Sequence, residues 1–489
     1  MMDGILYFAI IFSLFIIALF FYNIFQRRNP ILRIYPVLGY ARTIALPLGV
    51  FLRKYFYARD REELPFNRVQ RTWINNAADG IDEDVGFGST RDCTRMGSIF
   101  FVDAPFPVIK TEIVKARPIT IGPHSRSPYT TDSLVNISAM SYGALSKNAV
   151  LALSHGAKKA GCWMNTGEGG LTDYHLSGGC DIIAQIGTAK YGYRDDNGNL
   201  CEKRLKAAAA HPQVKMFEVK LSQGAKPGVG GMLPAPKVTE EVANIRGIPA
   251  YQDSISPNRF PEISNCSELL DFIHKVREIT GKPTGFKTVL GSYTWLDELC
   301  REIIKRGSEF APDFITLDGS EGGTGAAPLT LIDYMGLPIT ESLPRLVDIL
   351  VEYNLRDRIK VIASGKLVNP RDVAWALCIG ADFINTARGF LFSLGCIQAM
   401  QCHSNRCPTG ITSHHGWRMR GLVPEMKYDR VHMYVKNLNH EIGLICHSCG
   451  VQEPRELNRN HIRIVTEHGT SVSFAELHPN KVPGSKLQA

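Results

Sequence analysis

Eight short apolar runs, each followed by a longer amphipathic stretch, constrain this 489-residue chain more than any other feature. The runs are 135–140, 162–165, 182–186, 216–221, 284–289, 314–318, 360–364 and 383–386. Short apolar segments alternating with helical periods are the pattern of repeated βα units. Eight of them predict an α/β fold, a closed (β/α)8 TIM barrel, with chemistry at the C-terminal ends of the strands. An open doubly wound sheet is the competing architecture. No G-x-G-x-x-G turn opens the first unit, which counts against it.

Polar and glycine-rich motifs fall at the predicted strand ends. The first strand ends in Met140 and Ser141, and the second runs into Asn165, Thr166 and Glu168 within Asn-Thr-Gly-Glu-Gly-Gly. The fourth carries Lys220 and leads to Gln223-Gly-Ala-Lys226-Pro-Gly-Val-Gly-Gly231. The fifth carries Lys287, and the sixth leads through Asp318 to Gly322, Gly323, Thr324 and Gly325. Ser364, Gly365 and Lys366 follow the seventh; Ala387 and Arg388 follow the eighth. Glycines let backbone amides approach a ligand closely, and successive amides form concave anion sites. One such loop is an ordinary turn, but several converging on one barrel face form a binding site. Barrels frequently bind phosphate after their last two strands. Lys366, Arg388 and the adjacent amides are therefore expected to hold the phosphate of flavin mononucleotide (FMN), bound without covalent attachment.

Three cysteines, Cys396, Cys402 and Cys407, cluster just beyond the last run. Thiolates held this close can converge on one metal centre, and thiolate-only ligation favours zinc or iron–sulfur clusters. Zinc fingers need four ligands, usually paired two to four residues apart. Three cysteines at wider gaps point instead to an iron–sulfur cluster that passes electrons to the flavin; three unrelated thiols are the bland reading. The other cysteines mostly stand singly in apolar contexts, as buried free thiols do in a reducing compartment. Cys446 and Cys449 have metal-like spacing but no second pair nearby, so structural thiols are expected. His403, His414 and His415 flank the cluster loop, where surface or supporting roles are expected rather than ligation.

Residues 4–25 carry no charge and are long enough to cross a hydrocarbon layer of ~30 Å as a helix. Asp3 precedes the run and Phe-Gln-Arg-Arg follows it, unlike a cleaved signal peptide, so 1–30 is expected to be a transmembrane anchor. Arg27, Arg28, Arg33, Arg42, Arg53, Lys54, Arg59 and Arg61 should remain cytoplasmic. The expectation is a single-pass membrane protein with a cytoplasmic catalytic domain. Arg33, Pro36, Arg42 and Pro47 interrupt 31–51, which reads as an interfacial segment or the start of the soluble part rather than a second span. The rest of 31–135 is expected to wrap around a barrel spanning 136–415, with a helical extension over 416–489. A net charge of +8 without a basic stripe interleaved with aromatics argues against nucleic-acid binding.

The stretch 136–415 resembles the flavin-binding synthase domain of glutamate synthases. The matching pieces are Met-Ser-Tyr-Gly-Ala-Leu-Ser, Asn-Thr-Gly-Glu-Gly-Gly, Gln-Gly-Ala-Lys-Pro-Gly, Gly-Gly-Thr-Gly-Ala-Ala-Pro and Cys-x5-Cys-x4-Cys-Pro-x-Gly. The resemblance implies FMN at the barrel mouth and a 3Fe-4S cluster on Cys396, Cys402 and Cys407. It also implies a 2-oxoglutarate pocket built from Glu168, Lys220, Lys226, Gln223 and Arg246. The implied activity is reductive amination of a 2-oxo acid by hydride from reduced FMN, with an amine donor and an unidentified electron donor as partners. Lys226 and Arg246 would clamp carboxylates, and Glu168 would position the amine or shuttle its proton. The family's amidotransferase domain is not found, and the chain looks most like the stand-alone, membrane-anchored members. The family loop Lys-Pro-Gly-Glu-Gly-Gly-Gln reads Lys226-Pro-Gly-Val229-Gly-Gly-Met232 here, which leaves the substrate open. The alternative is a membrane-tethered electron-transfer subunit without amination activity.

Overall fold

Burial on both faces explains why the strands read as continuous apolar runs. In the computed structural model, which describes residues 2–56, 60–81, 84–112 and 114–487, six of the eight barrel strands are buried at every position. A parallel strand covered by helices outside and side chains inside has no wet face to alternate with. The barrel strands are β1 (Val135–Ile137), β2 (Met164–Asn165), β3 (Ile182–Ile186) and β4 (Val214–Lys220). They continue with β5 (Thr284–Thr288), β6 (Phe314–Asp318), β7 (Lys360–Ser364) and β8 (Phe383–Thr386). Each pairs in parallel with its neighbour in sequence, and β8 closes on β1 through Ile384 with Val135 and Thr386 with Ile137. All eight predicted runs become the strands of one closed barrel. The first ends sooner than expected, because the chain turns into the site loop after Ile137.

An antiparallel hairpin, Ile119–Ile121 with Tyr129–Thr131, serves the barrel's N-terminal end. Its Ile121 and Tyr129 join Trp163, Ile183, Met216, Phe314, Ile362 and Phe383 in one buried cluster. Near the same end Asp313, fully buried, pairs with Arg277 at 3.0 Å and Arg358 at 2.9 Å and accepts from the Thr284 amide at 2.8 Å. The long helix Pro424–Ser448 packs along helices Lys147–Ala160 and Arg68–Asp79, so the segments before and after the barrel meet on one flank. The region 416–489 is not purely helical. Ile462–Val465 pairs with Ile99–Phe101 on one side and Ser471–Ser473 on the other in a small antiparallel sheet.

The N-terminal helix Met2–Phe25 exposes its apolar side chains, and over Gly4–Phe25 its mean hydropathy is 2.7. Among the described residues it is the one helix long and apolar enough to cross a membrane. The next segment belongs to the body of the protein. Ile34, at the end of helix Pro30–Ile34, is buried, and its carbonyl accepts from the Trp417 indole at 2.8 Å. The stretch 39–56 forms a helix that exposes Ile44, Leu46 and Leu48. Arg59 of the basic run lies outside the described residues, as do the side chains of Arg53 and Lys54.

Candidate active site

A carboxylate inside the barrel shapes the floor of the site. Glu218 on β4 is fully buried and accepts from Asn165 Nδ2 and Gln185 Nε2, both at 2.7 Å, and from the Thr316 hydroxyl. Asn165 Oδ1 in turn accepts from the Gly167 amide at 3.0 Å, and Thr166 Oγ1 from the Gln185 amide at 3.1 Å. Asn165 and Thr166, expected to contact the cofactor, hold the floor in this way, and neither is among the residues lining the cleft above it. Their side chains are spent on neighbouring strands. Gln185 does line the cleft. It was missed by the sequence reading, although a lone polar residue in an apolar strand is a recognisable signal.

Above this floor the C-terminal strand ends enclose an open cleft. Met140, Ser141, Glu168, Lys220, Gln223, Lys226 and Arg246 line it, with Lys287, Asp318 and Gly322 to Gly325. Ser364, Gly365, Lys366, Ala387, Arg388 and Cys402 complete the expected set. On one side Lys220 Nζ lies 2.9 Å from Glu168 Oε1. Burial alone would raise the Glu168 carboxyl, but the charges of Lys220, Lys226 and Arg246 outweigh it and hold the group at about 2. The loop after β4 must pass very close to this carboxylate: a Cβ at Gly231 would stand 2.6 Å from Glu168 Oε1.

Lys226 is buried, and among the described residues no hydrogen bond holds its ammonium. Burial, reinforced by Lys220 and opposed by Glu168, brings it down to about 8. Arg246 is also buried, stacks over the Tyr191 ring at 5.1 Å, and donates to Ser254 Oγ at 3.2 Å and the Tyr142 carbonyl at 3.4 Å. Its Nε has no partner. Three cations therefore face one carboxylate, leaving two positive charges for a ligand. Val229 and Met232 stand about half exposed on the same loop, and Met232 reaches the cleft wall.

The opposite side is built from backbone. Asp318 accepts from Ser364 Oγ at 2.8 Å and the Gly224 amide at 2.9 Å, with Lys287 Nζ 3.6 Å away. These bonds tie β6, β7 and the loop after β4 together. A Cβ at Gly224 would stand 1.8 Å from the Gly319 carbonyl oxygen, so no other residue fits there. Gly365 and Lys366 both take positive φ, 129° and 51°, and their amides make no hydrogen bond within the described residues. Lys366 Nζ stands 5.7 Å over the ring of Phe66, which also lines the cleft. Open amides, a nearby ammonium and a flat glycine-lined wall fit a flavin nucleotide with its phosphate at this end. Arg388 is committed elsewhere: it donates to the Thr324 carbonyl at 2.8 Å and to Cys402 Sγ at 3.5 Å. The Arg388 guanidinium turns toward the cysteine loop, which leaves Lys366 as the cation beside the open amides.

Cys396, Cys402 and Cys407 are free thiols that lie within electrostatic reach of one another and of Arg388. Their loop places Gln398, Met400 and Asn405 at positive φ, a strained path that tertiary contacts must maintain. Gln398 supplies one such contact, exchanging hydrogen bonds with the Phe66 amide at 3.1 Å and carbonyl at 3.0 Å. Burial pushes the Cys396 thiol up to about 11, whereas hydrogen bonds from Thr409 and Thr412 overcome burial and lower Cys407. Among the described residues no three His, Cys, Asp or Glu side chains gather around a single metal ion. Three thiols within reach of one another are the donor set that an iron–sulfur cluster would take, one thiolate to each iron. His414 Nε2 donates to the Gly143 carbonyl at 2.8 Å, and burial lowers the imidazole to about 4. Cys446 and Cys449 are buried with Cys378 and remain free thiols.

Comparison with known proteins agrees with this geometry. Residues 108–452 match the family model described as a conserved region in glutamate synthase. The glutamate synthase large subunit-like protein YerD of Bacillus subtilis (strain 168) is 40% identical over 491 residues, covering 92% of this chain and 93% of that protein. The archaeal-type glutamate synthase [NADPH] of Dehalococcoides mccartyi is 32% identical over 348 residues, and this chain spans 65% of its length. A glutamate synthase large subunit-like protein of Rhizobium meliloti (strain 1021) is 28% identical over 444 residues, covering 86% of this chain and 96% of that protein. A family match across most of the barrel, joined to a strand-end cleft carrying the expected carboxylate and cations, assigns this chain to the glutamate synthase family of oxidoreductases.

Proposed function

We propose that the protein binds FMN and an iron–sulfur cluster and uses them for the reductive amination of a 2-oxo acid, 2-oxoglutarate to glutamate. The observation that carries this reading is the charge surplus around Glu168. Lys220, Lys226 and Arg246 oppose one carboxylate, and two uncompensated buried cations suit a dicarboxylate substrate. When bound, FMN supplies hydride chemistry and the cluster supplies single electrons to it. The chain's own residues bind and orient. Lys226 takes one substrate carboxylate and Arg246, through its unpartnered Nε, attracts the other. Glu168, held at about 2, stays ionised at working pH, so it positions a cationic amine rather than donating a proton to it. Gln223, anchored on the Gly323 carbonyl at 3.3 Å, fixes the loop that carries Lys226. Asp318 orders the cofactor wall through Ser364 and Gly224.

Met-Asp-Gly and the apolar helix that follows are read as the membrane anchor of this enzyme, with the basic residues after it on the cytoplasmic side. The apolar Met232 on the cleft wall, with Val229 on the same loop, favours a second reading, an electron-transfer subunit that aminates nothing. Acid-precipitated protein should release FMN; recovery of FAD alone, or of no flavin, would contradict the cofactor assignment. Reduced protein mixed anaerobically with 2-oxoglutarate and ammonium separates the two readings, since only the synthase forms glutamate as its flavin reoxidises.

A further inference from the structure

We propose that Arg388 and Lys237 both hold the three-cysteine loop and raise the reduction potential of the iron–sulfur centre it holds, an inference that rests on the cluster reading above. Arg388 leaves the end of β8, lines the cofactor cleft, and points its guanidinium at Cys402 Sγ, 3.5 Å away. It lies within electrostatic reach of Cys396 and Cys407 as well. Lys237 comes from the loop after β4 and is 2% exposed. Its Nζ donates to the Cys402 carbonyl at 3.2 Å and the Ala144 carbonyl at 2.7 Å, within reach of the Cys402 and Cys407 thiols. Among the described residues no carboxylate forms an ion pair with either cation.

A buried cation without a counter-charge is costly, so the loop they hold should become anionic when it is loaded. Three thiolates on one cluster meet that need. Net charge and hydrogen bonds to the sulfurs set the potential of such a centre, and cations favour the state holding the extra electron. Arg388 also touches both the cleft wall and Cys402, so its charge acts where electrons would pass. Both residues are positioning residues, since they act through the thiolates.

The test is a redox titration of the purified holoprotein followed by electron paramagnetic resonance, with iron and flavin content measured on each sample. Wild type, Arg388→Gln, Arg388→Lys and Lys237→Gln are compared. Each glutamine variant should keep its flavin and shift the one-electron equilibrium at least tenfold against reduction, about 59 mV toward negative potential. Arg388→Lys should fall between wild type and Arg388→Gln. Loss of iron from both glutamine variants with retention in Arg388→Lys would equally support a requirement for charge. An unchanged midpoint in iron-replete glutamine variants overturns the proposal. So does loss of iron from all three variants, because packing rather than charge would then hold the loop. A wild-type protein with flavin but no iron defeats the cluster reading itself and takes this inference with it.

Discussion

Lys226 and Glu168 share one wall of the cleft but respond differently to pH. Glu168 is held at about 2 and stays charged throughout the working range, whereas Lys226, brought down to about 8, loses its charge within it. Substrate binding should therefore be strong below about pH 8 and weaken above it, because the neutral amine no longer attracts a carboxylate. kcat/KM for the 2-oxo acid, which reports the free enzyme, should fall through that pH, and Lys226→Arg should abolish the fall. A flat profile to well above pH 9 would contradict the assignment. Gly224 tests the wall on the other side. With only 1.8 Å between a Cβ and the Gly319 oxygen, Gly224→Ala must displace the β4 loop and lower flavin occupancy, measurable as the absorbance ratio of purified protein. Both residues were legible in the sequence as parts of strand-end motifs. The role of Arg388 was not, because a cation after a strand reads the same whether it faces a phosphate or a thiol.

Among the elements, the barrel strands were legible because burial on both faces leaves continuous apolar runs between amphipathic helices. The small sheet of Ile99–Phe101, Ile462–Val465 and Ser471–Ser473 was not. Its strands are three or four residues long and mostly half-buried, and Ile99–Phe101 finds its partner more than three hundred positions away. The inward side chains of Asn165 and Thr166 were illegible for a related reason: the motif locates a strand end, but which side chains point inward depends on contacts with Glu218 and β3. The Asp313 network at the other end of the barrel carries a stability prediction. Asp313→Ala leaves Arg277 and Arg358 buried without a counter-charge and should cost about 3–5 kcal/mol in chemical denaturation. Replacing all three with apolar residues should cost much less. A loss below about 1 kcal/mol for Asp313→Ala would mean that water reaches the pair.

At the scale of the whole molecule, segments remote in sequence meet at the site. Phe66 enters the cleft from before the barrel and is gripped by Gln398 of the cysteine loop, a pairing with no sequence signal. The apolar helix is different, since among the described residues up to Phe25 only Asn23 is buried, where it donates to the Pro36 carbonyl at 2.7 Å. A chain starting at Asn29 should therefore leave the membrane fraction and retain flavin. One starting near residue 51 loses the seat of Ile34 against Trp417 and should melt at lower temperature. Persistence of the chain starting at Asn29 in the membrane fraction would place residues 39–56 in the bilayer. The central claim, that the charge surplus at Glu168 serves amination, is tested most directly by one turnover. Protein reduced anaerobically and mixed with 2-oxoglutarate and isotopically labelled ammonium should form one labelled glutamate for each flavin reoxidised, and Lys226→Ala should suppress both together. Flavin that stays reduced until an oxidant protein is added, with no labelled glutamate, would contradict the account.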